Sequence, residues 1–231
     1  MPQPTVVLVH GAFADAASFA PVVSELLSSG VTVRVPAVPN RSLIGDAEYI
    51  ASVVRAIDGP VLLVGHSYGG AVITVAGAEE NVVGLVYLAG YALEEGESLA
   101  ELQGRFPDSP LATALVQTPY PGGVDITVDV ERFPSIFAAD VDPEVAKVLA
   151  VGQRPLAYAA FGEAAPAAAW KTKPSWGVVS SSDTTINPDV ERFGYERAGA
   201  TVTEIDSSHL VMLAHPKEVA DVIRTALAAV G

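Results

Sequence analysis

The segment 61–74 limits the folds open to this chain more than any other part of the sequence. Four apolar residues without polar alternation precede a Gly-x-Ser-x-Gly pattern at 65–69, and an Ala/Val/Ile run begins after Gly70. The first run predicts a strand covered on both faces, and the second predicts a buried helix. The glycines allow the close backbone approach that a sharp turn between strand and helix needs, so the serine hydroxyl stands at the edge of the sheet. Ser67 is therefore the candidate nucleophile.

Apolar runs alternate with helical patterns over most of the chain. Helices are predicted from Ser18, expected to cap the first of them, to a stop at Gly30, and over 46–57, 190–197 and 216–230. Strands are predicted at 5–10, 31–35, 61–64, 82–89, 175–181 and 201–205. This alternation predicts an α/β fold with about six mostly parallel strands and helices on both faces. Such sheets bind ligands at the carboxyl ends of their strands, where Ser67 is expected.

The segment 92–170 interrupts that alternation. Prolines divide it into short helical pieces and one hairpin around 124–130, and its apolar residues are too many for a disordered linker. We interpret it as an inserted, mainly helical cap that covers the strand ends, with 1–91 and 171–231 forming the core domain. The alternative is that the insert only thickens the domain away from the site.

Size and charge exclude several classes of function. A chain of 231 residues with half its residues hydrophobic fits one domain with an insertion, and no apolar run approaches the ~20 residues of a membrane span. The net charge of −14 opposes nucleic acid and anionic membranes as partners. The chain has no cysteine. Its first residues lack the basic start of a signal peptide, and this predicts a cytoplasmic location. The oligomeric state stays open between monomer and homodimer.

A serine hydroxyl needs a base to act as a nucleophile at neutral pH, and histidine has a suitable pKa. His209 follows the last predicted strand in a polar loop, which puts its imidazole at the same sheet edge as Ser67. His66 is expected to pack beside the turn, His10 to order the loop after the first strand, and His215 to begin the last helix. We assign the base to His209.

The third member must be a carboxylate that fixes the tautomer of the imidazole. Asp183 is favoured because it follows the strand at 175–181 and so lies at the same edge as His209. Asp206 is the rival, nearer to His209 in sequence, whereas Asp189 is assigned to the start of a helix.

Backbone amides are expected to stabilise the oxyanion that forms on the substrate. Tyr68 offers one amide at the start of the helix after Ser67, and Ala12 offers the second from the loop after the first strand. Phe13 is the next choice for that second donor and the better candidate for a pocket wall. Both amides come near Ser67 if the first and third strands are neighbours.

Three motifs resemble the α/β-hydrolase superfamily, and within it the small capped esterases. They are Val-Leu-Val-His-Gly-Ala-Phe at 7–13, Gly-His-Ser-Tyr-Gly-Gly at 65–70 and Ser-Ser-His-Leu-Val-Met-Leu at 207–213. The chain looks similar to bacterial pyrethroid-hydrolase-like and salicylate-esterase-like proteins and to plant methylesterases. The resemblance implies a triad of Ser67, Asp183 and His209, an oxyanion hole from Ala12 and Tyr68, no cofactor or metal, and hydrolysis of small-molecule carboxylic esters through an acyl-enzyme.

Departures from related families narrow the chemistry. Ser67 stands where haloalkane dehalogenases and many epoxide hydrolases carry aspartate, and Leu210 stands where plant hydroxynitrile lyases carry lysine. The alternatives that stay open are other acyl chemistry, such as perhydrolysis, haloperoxidase-like reactions, lactone opening or carbon–carbon cleavage, and a non-catalytic ligand receptor on a hydrolase scaffold. Seven aromatic residues are candidates for a pocket or for the core of the cap: Phe13, Tyr68, Tyr91, Tyr120, Phe137, Phe161 and Trp170.

Overall fold

Six parallel strands form the central sheet of the computed structural model, which describes residues 3–231. Met1 and Pro2, part of the stretch from which the location is predicted, lie outside the described residues. The strands of residues 3–231, including three that lie outside the central sheet, are β1 (Thr5–Val9), β2 (Val33–Arg34), β3 (Val61–His66), β4 (Val82–Leu88), β5 (Leu115–Tyr120), β6 (Gly123–Val128), β7 (Leu156–Ala157), β8 (Ser175–Ser180) and β9 (Thr201–Ile205). The central sheet has the order β2-β1-β3-β4-β8-β9 with every pair parallel, so the predicted α/β fold is confirmed.

Helices cover both faces of this sheet. They are α1 (Ala20–Ser28), α2 (Leu43–Arg55), α3 (Tyr68–Ala76), α4 (Leu99–Gln103), α5 (Phe133–Phe137), α6 (Pro143–Val151), α7 (Pro188–Arg197), α8 (Val211–Ala214) and α9 (Pro216–Val230). α2 packs with α3, and α1 packs with α9. Right-handed crossovers place α2, α3 and α7 on one face and α1 on the other. The strands β1, β3 and β4 are buried almost throughout, as their unbroken apolar sequences require.

Two helix starts differ from the sequence prediction. Ser18 is not a helix cap: its hydroxyl donates to the Asp15 carbonyl inside a short 3-10 turn, and the Asp15 carboxylate caps that turn. The second helix begins at Leu43 rather than at residue 46, because the Ser42 hydroxyl accepts from the Gly45 amide and caps it. Both errors concern polar side chains near a helix start, where several residues can serve as the cap.

The segment 92–170 contains the short helices α4, α5 and α6 and a small antiparallel sheet with the order β5-β6-β7. The predicted hairpin exists, formed by 115–120 and 123–128, and the two-residue strand β7 extends it. Its apolar side chains join the main core, and Phe133, Phe137 and Leu156 are almost fully buried. The segment therefore packs directly on the domain that carries the central sheet.

Candidate active site

Ser67 lies at the tip of a strained turn between β3 and α3. Its backbone has φ 55° and ψ −122°, in the left-handed region that non-glycine residues rarely adopt. A Cβ atom at Gly65 would overlap the Gly69 carbonyl, and one at Gly69 would overlap the Val9 carbonyl. Glycine is therefore required at both ends of the turn, and the serine is held in a conformation it would not choose by itself.

His209 pairs with Asp183 inside the protein. His209 Nδ1 lies 2.6 Å from Asp183 Oδ2, and neither side chain is exposed. Asp183 Oδ1 accepts from the amides of Thr185 at 2.6 Å and Ile186 at 3.2 Å. These amides fix the carboxylate so that only its other oxygen faces the imidazole, which makes Nδ1 the protonated nitrogen.

The second ring nitrogen of His209 is unused. Within residues 3–231, His209 Nε2 is buried and has no hydrogen-bond partner, and the Ser67 hydroxyl makes no hydrogen bond to it. The His66 ring, next to Ser67 in sequence, lies 4.6 Å from the His209 ring, and His66 Nε2 lies 2.9 Å from the His209 carbonyl oxygen. This contact ties the turn at Ser67 to the loop that carries His209.

His66 itself is neutral. Burial, together with the neighbouring His209, lowers the pKa of His66 well below its ordinary value. Its Nε2 donates to the His209 carbonyl, so its Nδ1 carries no proton. His66 thus packs beside the turn and holds no charge that would compete with His209.

The two candidate amides of the oxyanion hole belong to the turn at Ser67 and to the loop after β1. A Cβ on Gly11 would lie 2.7 Å from Ser67 Cβ and 3.2 Å from the Tyr68 nitrogen, which places the loop after β1 against the turn. The first and third strands are neighbours, with Val9 paired to Gly65. In the described part of the chain, the amides of Ala12 and Tyr68 donate no hydrogen bond.

The Phe13 amide, in contrast, already donates a hydrogen bond. Its amide donates to the Arg154 carbonyl at 2.9 Å, so of the two candidates for the second donor only Ala12 has its N–H available. Phe13 adopts φ 62°, and its ring packs edge-on to Phe137 with 5.9 Å between centroids. The geometry leaves Phe13 as a wall of the site.

The other histidines have partners away from Ser67. The His10 side chain bridges two backbone groups, accepting from the Val38 amide at Nε2 and donating from Nδ1 to the Gly11 carbonyl, each at 2.9 Å. Burial lowers the pKa of His10, in keeping with this neutral, bridging state. His215 stands directly before α9, 3.3 Å from Glu218. Neither ring pairs with a carboxylate inside the protein as His209 does.

The rival carboxylates also lie elsewhere. Asp206 accepts from the Ser182 hydroxyl at 2.6 Å in an exposed position. Asp189 lies in the first turn of α7 and pairs with Arg192 at 2.9 Å. Asp183 is the carboxylate that the structure brings to His209.

Sequence reasoning missed a clamp from the inserted segment. Asp140 accepts from the Ser207 hydroxyl at 2.8 Å, from the Ser208 amide at 2.9 Å and from the Ser208 hydroxyl. It therefore holds the two residues that precede His209. Phe137 lies nearby with its ring centroid 4.6 Å from the His209 ring. No local pattern marks Asp140, and the sequence predicts Phe137 only as one of seven aromatics of the pocket or of the cap core, because both residues act through contacts distant in sequence.

Tyr68 makes a second unpredicted contact. Its hydroxyl donates to the Asp46 carboxylate at 2.8 Å, and both side chains are buried. Burial raises the pKa of Tyr68 and that of Asp46, so the tyrosine stays neutral. The bond connects the residue after Ser67 to the first turn of α2, which steadies the start of α3.

A small apolar cavity of about 20 Å³ opens beside Ser67. A larger groove of about 390 Å³ lies outside it, and Leu111 and Phe161 line both spaces and separate them. Two of the seven candidate aromatics, Tyr91 and Phe161, join Phe13 and Tyr68 in the wall of the inner cavity, whereas Tyr120, Phe137 and Trp170 do not. The residues lining the inner cavity are Ala12, Phe13, Ser67, Tyr68, Tyr91, Leu99, Leu111, Leu156, Phe161, Thr185 and Ile186.

The chain belongs to the alpha/beta hydrolase family, whose family model matches residues 6–222. No curated protein matches the sequence. Within residues 3–231, none of the helices has the length and apolar character needed to cross a membrane.

Several solved structures share the fold over nearly the whole chain. A pyrethroid hydrolase from Sphingobium faniae is 21% identical with a TM-score of 0.81, and the alignment covers 98% of each chain. A polyneuridine aldehyde esterase is 18% identical with a TM-score of 0.83, covering 97% of this chain and 99% of the other. An Arabidopsis methylesterase is 16% identical with a TM-score of 0.82, covering 98% and 99%.

Proposed function

We propose that this protein is a serine hydrolase that cleaves small carboxylic esters through an acyl-enzyme intermediate. The observation that carries the proposal is the buried pair of His209 and Asp183, 2.6 Å apart, whose imidazole keeps a free Nε2 and touches the ring of His66 next to Ser67. A fixed imidazole with one unused nitrogen, near a strained serine at the edge of the sheet, is the arrangement that general-base catalysis needs.

In the acylation step, His209 Nε2 takes the proton of the Ser67 hydroxyl as its oxygen attacks the ester carbonyl carbon. The tetrahedral oxyanion accepts hydrogen bonds from the amides of Ala12 and Tyr68, which have no other acceptor within residues 3–231. His209 then returns the proton to the leaving alkoxide, and the carbon–oxygen bond of the ester breaks. Asp183 keeps the proton on Nδ1 and stabilises the imidazolium while it exists.

In the deacylation step, a water molecule takes the place of the alcohol. His209 removes its proton, the resulting oxygen attacks the acyl carbonyl, and the same amides hold the second oxyanion. Collapse returns the proton to Ser67 and releases the carboxylic acid. The cycle uses only groups of this chain, the ester and water.

The names of the structurally similar proteins support carboxylic esters as the substrate class. Three of the solved structures that share the fold are named as a pyrethroid hydrolase, a polyneuridine aldehyde esterase and a methylesterase. Since the likeness lies at 16–21% identity, it supports the class of bond cleaved and leaves the substrate itself to be argued from the site.

We also propose that 92–170 acts as a cap that selects the substrate. Leu99, Leu111, Leu156 and Phe161 come from this segment and form much of the apolar wall beside Ser67. The inner cavity of about 20 Å³ offers about the room of one water molecule, so short acyl groups should enter with the least rearrangement. The outer groove beyond Leu111 and Phe161 is proposed to take the bulkier alcohol portion.

The experiment measures hydrolysis of p-nitrophenyl acetate, butyrate and octanoate by the wild type and by Ser67→Ala. We expect kcat/KM to fall with acyl length in the wild type, and we expect Ser67→Ala to lose about 10⁴-fold or more with an unchanged circular dichroism spectrum. Mass spectrometry after treatment with a fluorophosphonate should find the label on Ser67.

A Ser67→Ala variant with wild-type turnover would refute the proposal. If the wild type instead turned over none of the esters and yet were thermally stabilised by an ester that stays intact, that result would support the hypothesis of a non-catalytic ligand receptor. Leu111→Ala is the matched test of the cap: it should raise octanoate relative to acetate, because it removes part of the wall between the cavity and the groove.

A further inference from the structure

Glu191 is a buried carboxyl group beside the candidate active site that the mechanism above does not use. It lies on the inner face of α7 with Val190, Gly194 and Tyr195, and its accessible surface is 0%. One oxygen, Oε2, accepts from the Ser180 amide at 3.0 Å. The other, Oε1, is buried and, in the described part of the chain, has no hydrogen-bond partner.

Within residues 3–231, no buried cation pairs with this carboxyl group. The guanidinium of Arg192, next in sequence, is at the surface, where it pairs with Glu204 of β9 and Asp189. The buried titratable groups near Glu191 are Tyr195 on the same helix, Tyr91 after β4 and Asp183 after β8. Two are neutral phenols whose own pKa values are raised by burial, and the third is the carboxylate that binds His209.

Burial and then the charge of Asp183 raise the pKa of Glu191 well above its ordinary value. A second negative charge buried next to Asp183 would be costly. Geometry and electrostatics therefore agree that Glu191 is a neutral acid with one O–H to donate.

Asp183 has one acceptor position left for that O–H. An ionised carboxylate accepts about four hydrogen bonds. Three are occupied, by the Thr185 amide, the Ile186 amide and His209. Asp183 and Glu191 are also bound to the same residue, because the Ser180 carbonyl accepts from the Asp183 amide and the Ser180 amide donates to Glu191. This shared strand end keeps the two carboxyl groups side by side.

We propose that Glu191 is a positioning residue that donates a hydrogen bond from its buried Oε1 to the Asp183 carboxylate. The inference rests on the proposed function for its catalytic consequence. The extra donor disperses the negative charge that Asp183 presents to His209, and a more dispersed charge stabilises the imidazolium form less.

The test compares Glu191→Leu and Glu191→Gln in the pH dependence of kcat/KM on p-nitrophenyl acetate. The leucine variant removes the donor, so the acid limb of the profile should move up by about half a pH unit or more. The glutamine variant keeps an N–H donor and an acceptor for the Ser180 amide, so it should hold the acid limb at the wild-type position. Glu196→Gln, an exposed acid on the same helix, is the control for loss of surface charge.

Opposite results would overturn the proposal. If Glu191 were ionised, both variants would remove a negative charge and the acid limb would move down in both. If the proton pointed to the buried Ser180 hydroxyl instead, the leucine variant would leave the acid limb in place.

Infrared difference spectroscopy of the wild type against Glu191→Gln tests whether Glu191 is protonated. It needs no catalytic turnover, and it does not depend on the leucine variant being folded. A carboxylic acid C=O band at neutral pH that disappears in the glutamine variant is expected. Its absence in the wild type would refute the neutral acid. A band present in a protein that hydrolyses no ester would count against the proposed function and leave the protonated Glu191 in place.

Discussion

The Phe137 ring packs edge-on against the His209 imidazole, with 4.6 Å between centroids and 62° between planes. Phe137 ends α5 in the inserted segment, whereas His209 follows the last strand of the central sheet. The inserted segment therefore packs against the His209 ring and also forms much of the wall of the inner cavity. Loss of that wall would let the imidazole tilt and water approach it.

Phe137→Leu is expected to lower kcat/KM on p-nitrophenyl acetate about tenfold, since the smaller side chain no longer restrains the His209 ring. Phe133→Leu is the matched control. Phe133 is equally buried on the same helix and contacts Phe137, but it makes no ring contact with His209. Both variants should lose about 1 kcal/mol of stability. Equal losses of activity in the two variants would mean that the wall acts only through general packing.

Asp183→Asn is expected to lower kcat about 10³-fold or more while the protein stays folded. The amides of Thr185 and Ile186 would keep the asparagine oxygen, so its NH₂ group would face His209 and force the wrong tautomer. Stopped-time assays with p-nitrophenyl acetate measure the loss. Asp206→Asn, which changes an exposed acid bonded to Ser182, should stay within about twofold of the wild type. Comparable losses in both variants would contradict the assignment of Asp183.

The strain at Ser67 predicts a stability difference that does not depend on activity. Ser67→Gly and Ser67→Ala both lack the hydroxyl, but only glycine adopts φ 55° without a steric cost. The glycine variant should therefore be about 1 kcal/mol more stable than the alanine variant in urea unfolding. An alanine variant of equal or greater stability would show that the turn stores no strain at this residue.

Asp140 makes the clamp on the His209 loop dependent on pH. Burial opposes its ionisation, but the hydrogen bonds from Ser208 and Ser207 outweigh burial and lower the pKa of Asp140 below its ordinary value. A lowered pKa in the folded state stabilises the protein above the ordinary carboxyl range, near pH 4, and this stabilisation is lost as the pH falls through the folded value.

Asp140→Asn should therefore destabilise the protein at pH 7 and make a smaller difference near pH 3, where the wild-type carboxylate is itself being protonated. Urea midpoints at the two pH values measure this. Asp108→Asn, at an exposed acid in the same inserted segment, should change stability little at either pH. A deficit for Asp140→Asn that grew as the pH fell would mean that the clamp does not depend on the charge.

Local sequence patterns were sufficient to predict the strands of the central sheet. Apolar-rich stretches, some of them interrupted by polar residues as at 31–35 and 201–205, located the six strands of the central sheet. Polar residues in the loops after these strands, such as Asp183 and His209, fall at one edge because parallel strands share a direction. Helix starts were less predictable, as at Ser18, since neighbouring polar residues compete to cap the same turn.

The sequence by itself determined the fold, the strained turn at Ser67 and the strand ends that carry the candidate residues, because these depend on periodicity and glycine placement within short segments. Only the tertiary structure decided that Asp183 rather than Asp206 meets His209, that Asp140 and Phe137 reach the same loop, and that Glu191 lies buried beside Asp183. Those contacts join segments far apart in the chain. They depend on how the insert and α7 pack against the sheet, which no local pattern specifies.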